Sequence, residues 1–115
     1  MTSTKNDQIL RGNVYWVNLD PALGSEIQKT CPALVISNNI QNRVSTRIIV
    51  IPITSNTTNI FPFESKIIIN NREGKALTDQ IRTIDKSRIG NFMGKLSNAE
   101  IADIEKAIKI TLSLD

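Results

Sequence analysis

Hydrophobic and polar positions alternate along most of this chain in short β-type runs cut by polar turns, and only the last stretch carries a helical stripe. Val14-Tyr15-Trp16-Val17 is β-branched and aromatic, and Asp20-Pro21 closes it because proline fixes φ and cannot donate to a continuing ladder. Pro32 to Ile36 is a short apolar run stopped by Ser37-Asn38-Asn39, the pattern of a strand buried on both faces. Asn38 to Ser45 is rich in Asn, Gln and Ser and reads as a loop with room for one helical turn. Arg47 to Ile53 is strongly β-forming; Pro52 near its end implies an edge or a bulge and leaves Thr54 where strand meets loop. Phe61 to Ile69 alternates as a half-buried strand, Asn70 to Gly74 is a turn signal, and Ala76 to Ile84 continues as the pairing strand. Asp85 to Arg88 begins a short helical turn, and Phe92 to Leu96 makes a last strand. Ser97-Asn98-Ala99-Glu100 is a capping box, and Ile101, Ile104, Ile108 and Leu112 form one face of the helix it opens. The pattern predicts a β-rich α+β domain over residues 10–115, a strongly curved antiparallel sheet with one C-terminal helix. Residues 1–9 lack periodicity and read as a disordered N-terminus.

Composition narrows the partners more than the fold. At 115 residues the chain supports one core. Met1 to Gln8 has no apolar signal region and no later run reaches the length of a membrane span, so a cytoplasmic protein with no membrane partner is expected. The lone cysteine, Cys31, has no internal disulfide partner, in keeping with a reducing compartment. A net charge of +3 permits a polyanionic partner without demanding one. Aromatic residues make up 4%, too few for stacked platforms under single-stranded nucleic acid, so any such grip must use charge and hydrogen bonds. The chain has no histidine, which removes the usual general base, the usual metal ligand and any Cys-His or Ser-His pair.

The polar loop between the first two strands holds Ser25, Glu26, Gln28, Lys29 and Thr30 around Gly24, a dense set of donors and acceptors on a two-strand support. It is either a functional loop or a solvated hairpin connection. Arg11-Gly12-x-Val14-Tyr15, then Asp20-Pro21-Ala22-Leu23-Gly24-Ser25-Glu26, then Pro32-Ala33-Leu34-Val35-Ile36-Ser37 together resemble the MazF/PemK family of toxin endoribonucleases. Pro52-Ile53-Thr54 and Asp79-Gln80-Ile81-Arg82-Thr83-Ile84-Asp85 are similar to two further family segments, in the same order. The chain departs from the pattern at Asn13, at Ile27-Gln28-Lys29 and, above all, at Cys31, which stands where the family has a catalytic Arg before the second strand's Pro.

The resemblance implies the SH3-like small barrel of MazF and CcdB toxins. It also implies metal-independent, cofactor-free cleavage of single-stranded RNA, mRNA in particular, through a 2′,3′-cyclic phosphate. A homodimer and a cognate MazE-like antitoxin follow from the same resemblance. The family's catalytic duties fall on the position of Cys31 and on the Thr matched by Thr54. Thr54 offers a hydroxyl that donates and accepts; otherwise it is a strand-end Thr bonded to local backbone. A thiol lacks the guanidinium fork, so Cys31 cannot replace Arg toward phosphate, and activity is expected to be impaired. Lys29, Arg47 and Arg82 are the cations that could enter the site instead. Ser25, Glu26, Gln28, Lys29, Asn38, Gln80 and Arg82 match segments lining the family's RNA groove, and each could equally be solvated surface. Asp79 is as easily structural as catalytic. The competing reading is a non-enzymatic protein of the same fold, an antitoxin-binding dead homologue or a CcdB-like gyrase poison; the ending Leu112-Ser113-Leu114-Asp115 lacks the Trp-Gly-Ile of the latter.

Overall fold

The computed structural model describes residues 8–19 and 30–115. Seven strands, β1 (Asn13–Asn18), β2 (Thr30–Val35), β3 (Arg47–Thr54), β4 (Ser65–Ile69), β5 (Arg72–Ala76), β6 (Arg82–Asp85) and β7 (Ile89–Lys95), form one curled antiparallel sheet. Its order is β4-β5-β3-β2-β1-β7, with β6 paired to β3 beside this path. A short helix α1 (Asn39–Val44) joins β2 to β3, and α2 (Asn98–Leu112) follows the last strand. No helix among the described residues is long and apolar enough to cross a membrane.

Alternation along the strands divides the apolar residues between two cores. Tyr15, Val17, Cys31, Ala33, Val35, Ile48 and Val50 pack on one face with Ile84 and Ile89. Val14, Leu34, Ile36, Ile51, Ile53 and Ile67 pack on the other, where Ile104 of α2 enters and Ile101 and Ile108 flank it. A sheet buried on both sides explains why β2 and β3 read as nearly continuous apolar runs.

The strand expected from Ala76 to Ile84 to pair with the one before it does not do so: β4 pairs instead with Arg72–Ala76, mostly within the stretch read as a turn. The expected strand is broken beyond Ala76, and its second part pairs with β3. Ile53 opposes Ala76 while Val50 opposes Arg82, so three steps along β3 match six along its partner. The three surplus residues are taken up by a 3-10 turn, Thr78–Gln80. Pro52 lies at this change of partner. Its carbonyl accepts from Leu77 N at 2.9 Å, so its missing N–H faces the same turn and costs no bond to β2. The bulge expected from Pro52 is therefore carried by the neighbouring chain.

The half-buried strand expected from Phe61 begins only at Ser65, because Glu64 N turns back to Phe61 O at 2.8 Å. Between β4 and β5, Asn70 and Asn71 hold φ of 52° and 64°, the left-handed pair of a two-residue hairpin. Asn70 Nδ2 donates to Met93 O at 3.1 Å, which lays the hairpin tip on β7. Gly94 permits that approach, since a Cβ there would stand 3.1 Å from Ile69 Cδ1.

Both helices start on side-chain caps. Asn38 Oδ1 accepts from Gln41 N at 2.8 Å, and buried Asn42 bonds Ser37 beneath α1. The predicted capping box forms at α2: Ser97 Oγ accepts from Glu100 N, and Glu100 Oε1 accepts from Ser97 N at 2.9 Å. Glu100 Oε2 also accepts from Ile68 N at 2.7 Å, fastening the helix start to β4.

Candidate functional site

The site follows from the β2–β3 register. Val35, Leu34 and Ala33 oppose Val50, Ile51 and Pro52. Beyond that point Cys31 pairs with Val17 of β1 while Thr54 pairs with Lys75 of β5, so Cys31 and Thr54 stand near the ends of adjacent strands without facing each other in the ladder. Arg82, on β6 opposite Val50, is partly buried, and its charge reaches the Cys31 thiol. Three residues singled out in the sequence, Cys31, Thr54 and Arg82, lie on the neighbouring strands β2, β3 and β6.

Cys31 differs from the half-buried strand-start side chain that its position suggests. It is 8% exposed and packs with Tyr15, Val17 and Ala33, because β1–β2 pairing puts Val17 opposite it on the core face. Burial pushes its pKa from 9.0 up to about 11, and the Arg82 guanidinium only partly offsets this. The thiol is therefore protonated at neutral pH and is a poor nucleophile. Arg82 makes no ion pair among the described residues.

Thr54 ends β3. Its Oγ1 accepts from Asn56 N at 3.2 Å, so the strand-end bond to local backbone is present. That bond uses a lone pair and leaves the hydroxyl proton free to donate. Thr54 and Ser55 line a groove of about 720 Å³ together with Trp16, Pro32, Ile69 and Phe92. Gln80 closes the 3-10 turn just before β6, with its N–H donating to Leu77 O at 2.9 Å, and its side chain is partly buried.

Asn38 is not brought to this site. It lies seven residues beyond Cys31, past the far end of β2, roughly 20 Å away at strand rise, and its side chain caps α1. Ser25, Glu26, Gln28 and Lys29 lie outside the described residues.

Two features of the site were not singled out in the sequence. Trp16, 42% exposed, and Phe92, 50% exposed, flank the groove. The usable signal was the parity of Trp16 with Val14, which puts it on the same face of β1 as a core residue. The second is an ion pair, Lys75 Nζ to Glu64 Oε1 at 2.9 Å, with side chains 11% and 7% exposed. Lys75 opposes Thr54 in the β3–β5 ladder, a pairing that only the three-dimensional register reveals. Among the described residues no group of three His, Cys, Asp or Glu side chains converges.

A family model described as PemK-like, MazF-like toxin of type II toxin-antitoxin system matches residues 10–112. The chain is 37% identical over 113 residues to "Endoribonuclease MazF9" of Mycobacterium tuberculosis, covering 90% of this chain and 96% of that protein. It is 34% identical over 111 residues to "Endoribonuclease EndoA" of Bacillus subtilis, covering 92% and 96%. Among solved structures it superposes on MazF from Deinococcus radiodurans with a TM-score of 0.82 at 26% identity, covering 93% of this chain and 98% of that one. It superposes on a mycobacterial endoribonuclease in complex with its cognate antitoxin with a TM-score of 0.79 at 25% identity, covering 93% and 97%. With the family model, the sequence similarity and the fold all extending over nearly its whole length, this chain belongs to the family of PemK-like, MazF-like toxins of type II toxin–antitoxin systems.

Proposed function

We propose that this chain is a cytoplasmic toxin that cleaves single-stranded RNA, acts as a homodimer and is neutralised by a MazE-like antitoxin. The 2′-hydroxyl of one nucleotide attacks the adjacent phosphorus as its proton is removed. The bond to the 5′-oxygen breaks and that oxygen leaves as a hydroxyl, giving a 2′,3′-cyclic phosphate. DNA lacks the attacking group and is not a substrate. Thr54 holds a phosphoryl oxygen through its free O–H, and charge gathering on phosphorus needs a cation beside it.

The buried thiol of Cys31, at the start of the strand next to the one that Thr54 ends, is the observation that carries the finer part of this reading. A neutral, core-facing thiol stands where the transition state calls for guanidinium, so the chain cleaves slowly. Losing one well-placed donor to a developing oxyanion costs about 2.7 to 4 kcal/mol, roughly 100- to 1000-fold in rate. Arg82 is the described cation that supplies what charge remains. The test is cleavage of a single-stranded RNA by the unmodified chain, by Cys31→Arg and by Arg82→Ala. Cys31→Arg is expected to gain about 100-fold or more, and Arg82→Ala to remove residual activity. Equal rates for the unmodified chain and Cys31→Arg overturn the assignment of Cys31, and no cleavage by either overturns the ribonuclease reading in favour of an antitoxin-binding homologue.

A further inference from the structure

The connection between β3 and β4 leaves the sheet at Ser55 and returns at Ser65, and little apolar packing holds it. Ile60 and Phe61 within it are 41% and 50% exposed. Beyond Thr54, the ammonium of Lys75 ties it to the sheet by hydrogen bonds. Lys75 Nζ donates to Asn59 O at 2.6 Å and to Glu64 Oε1 at 2.9 Å, and it stands 5.8 Å from the centre of the Phe61 ring. Glu64 Oε1 also accepts from Phe61 N at 3.0 Å, so one carboxylate oxygen gathers both the strand lysine and the turn backbone.

The other end of this clamp is the site. Lys75 is the ladder partner of Thr54, and the Thr54 hydroxyl is bonded to Asn56 N, the second residue of the connection. A shift of the connection therefore moves Asn56, and with it the hydroxyl whose O–H Thr54 donates to phosphate. We infer that Lys75 and Glu64 are positioning residues for RNA cleavage, their ion pair fixing the 55–64 connection so that Thr54 and Ser55 stand correctly along the groove. This rests on the ribonuclease reading above. A buried ion pair contributes little net stability but is sensitive to loss of either member, which suits a device that sets geometry. A misplacement of about 1 Å at a reacting centre is enough for about 100-fold in rate.

The test compares Lys75→Met, Lys75→Arg and the paired Lys75→Met/Glu64→Gln, which leaves no lone buried charge, in both the unmodified chain and the Cys31→Arg protein. Single-turnover cleavage at saturating RNA is expected to fall about tenfold or more in Lys75→Met and in the pair. Affinity for a 2′-deoxy-substituted strand is expected to stay within about threefold, and Lys75→Arg to recover most of the rate. Backbone amides of residues 55–64 are expected to exchange faster in Lys75→Met with no RNA present. Cleavage within about twofold of the parent, Lys75→Arg no better than Lys75→Met, or unchanged amide exchange each overturns the inference. If Cys31→Arg cuts no RNA, the ribonuclease reading fails and the role in cleavage fails with it; the exchange result then separately reports whether the ion pair fixes the connection.

Discussion

Cys31 couples the site to the core, and its titration gives that coupling a measurable sign. Its pKa is raised from 9.0 to about 11 by burial, so the folded state holds the thiol proton more tightly than the unfolded chain does. The associated stability is complete below pH 9 and is lost as pH rises from 9 to about 11. The loss amounts to about 2 to 3 kcal/mol. Urea midpoints taken across that range are expected to fall more steeply for the unmodified protein than for Cys31→Ala, and parallel slopes would remove the argument. The departure at Cys31 was legible in the sequence, because the flanking Pro32-Ala33-Leu34-Val35 fixes the position. Its orientation was not: whether residue 31 faces groove or core depends on pairing with Val17, a residue fourteen positions earlier. The convergence of Arg82 was hidden for the same reason, since it depends on how β6 sits beside β3.

Among the elements, α2 was the most legible, because its signals are local. Ser97 and Glu100 mark its start as read, and the stripe holds at Ile101, Ile104 and Ile108 but not at Leu112, which lies in the last turn and is 50% exposed. The break between β5 and β6 was illegible, since nothing in Ala76 to Ile84 announces that β3 changes partners there. Ser97→Ala is expected to cost about 1 kcal/mol of unfolding free energy. Glu100 gives the helix an acid limit. Burial works against its charge, yet the N–H groups of Ile68 and Ser97 outweigh this and hold its carboxyl below the ordinary 4.5. That contribution is complete above pH 4.5 and is lost as pH falls through the lowered value. Acid unfolding followed by circular dichroism is expected to be shallower in Glu100→Gln than in the parent, and identical acid limbs would show that the carboxylate has no such part.

For the whole molecule, charge and surface set the expectations. With a net charge of +3 and few aromatics, RNA is expected to be held mainly through phosphates, so affinity for an uncleavable deoxy-substituted strand should drop as salt rises. Equal affinity at two salt concentrations would exclude that mode. Sedimentation at micromolar concentration is expected to give twice the single-chain mass, since Trp16, Phe92 and Phe61 leave apolar surface exposed. Sheet order has a further consequence. The open path of strands ends on β4 at one side and β7 at the other, and β4 carries the run Ile67-Ile68-Ile69. An unguarded edge of this kind recruits strands from other molecules and seeds aggregation. Here the amide of Ile68 is already occupied by the Glu100 carboxylate, and Asn70 ties the tip of the same hairpin to β7. Two side chains that look like ordinary fastenings thus also occupy part of that edge, and Glu100→Ala is the variant in which insoluble, cross-strand association is expected to be seen first.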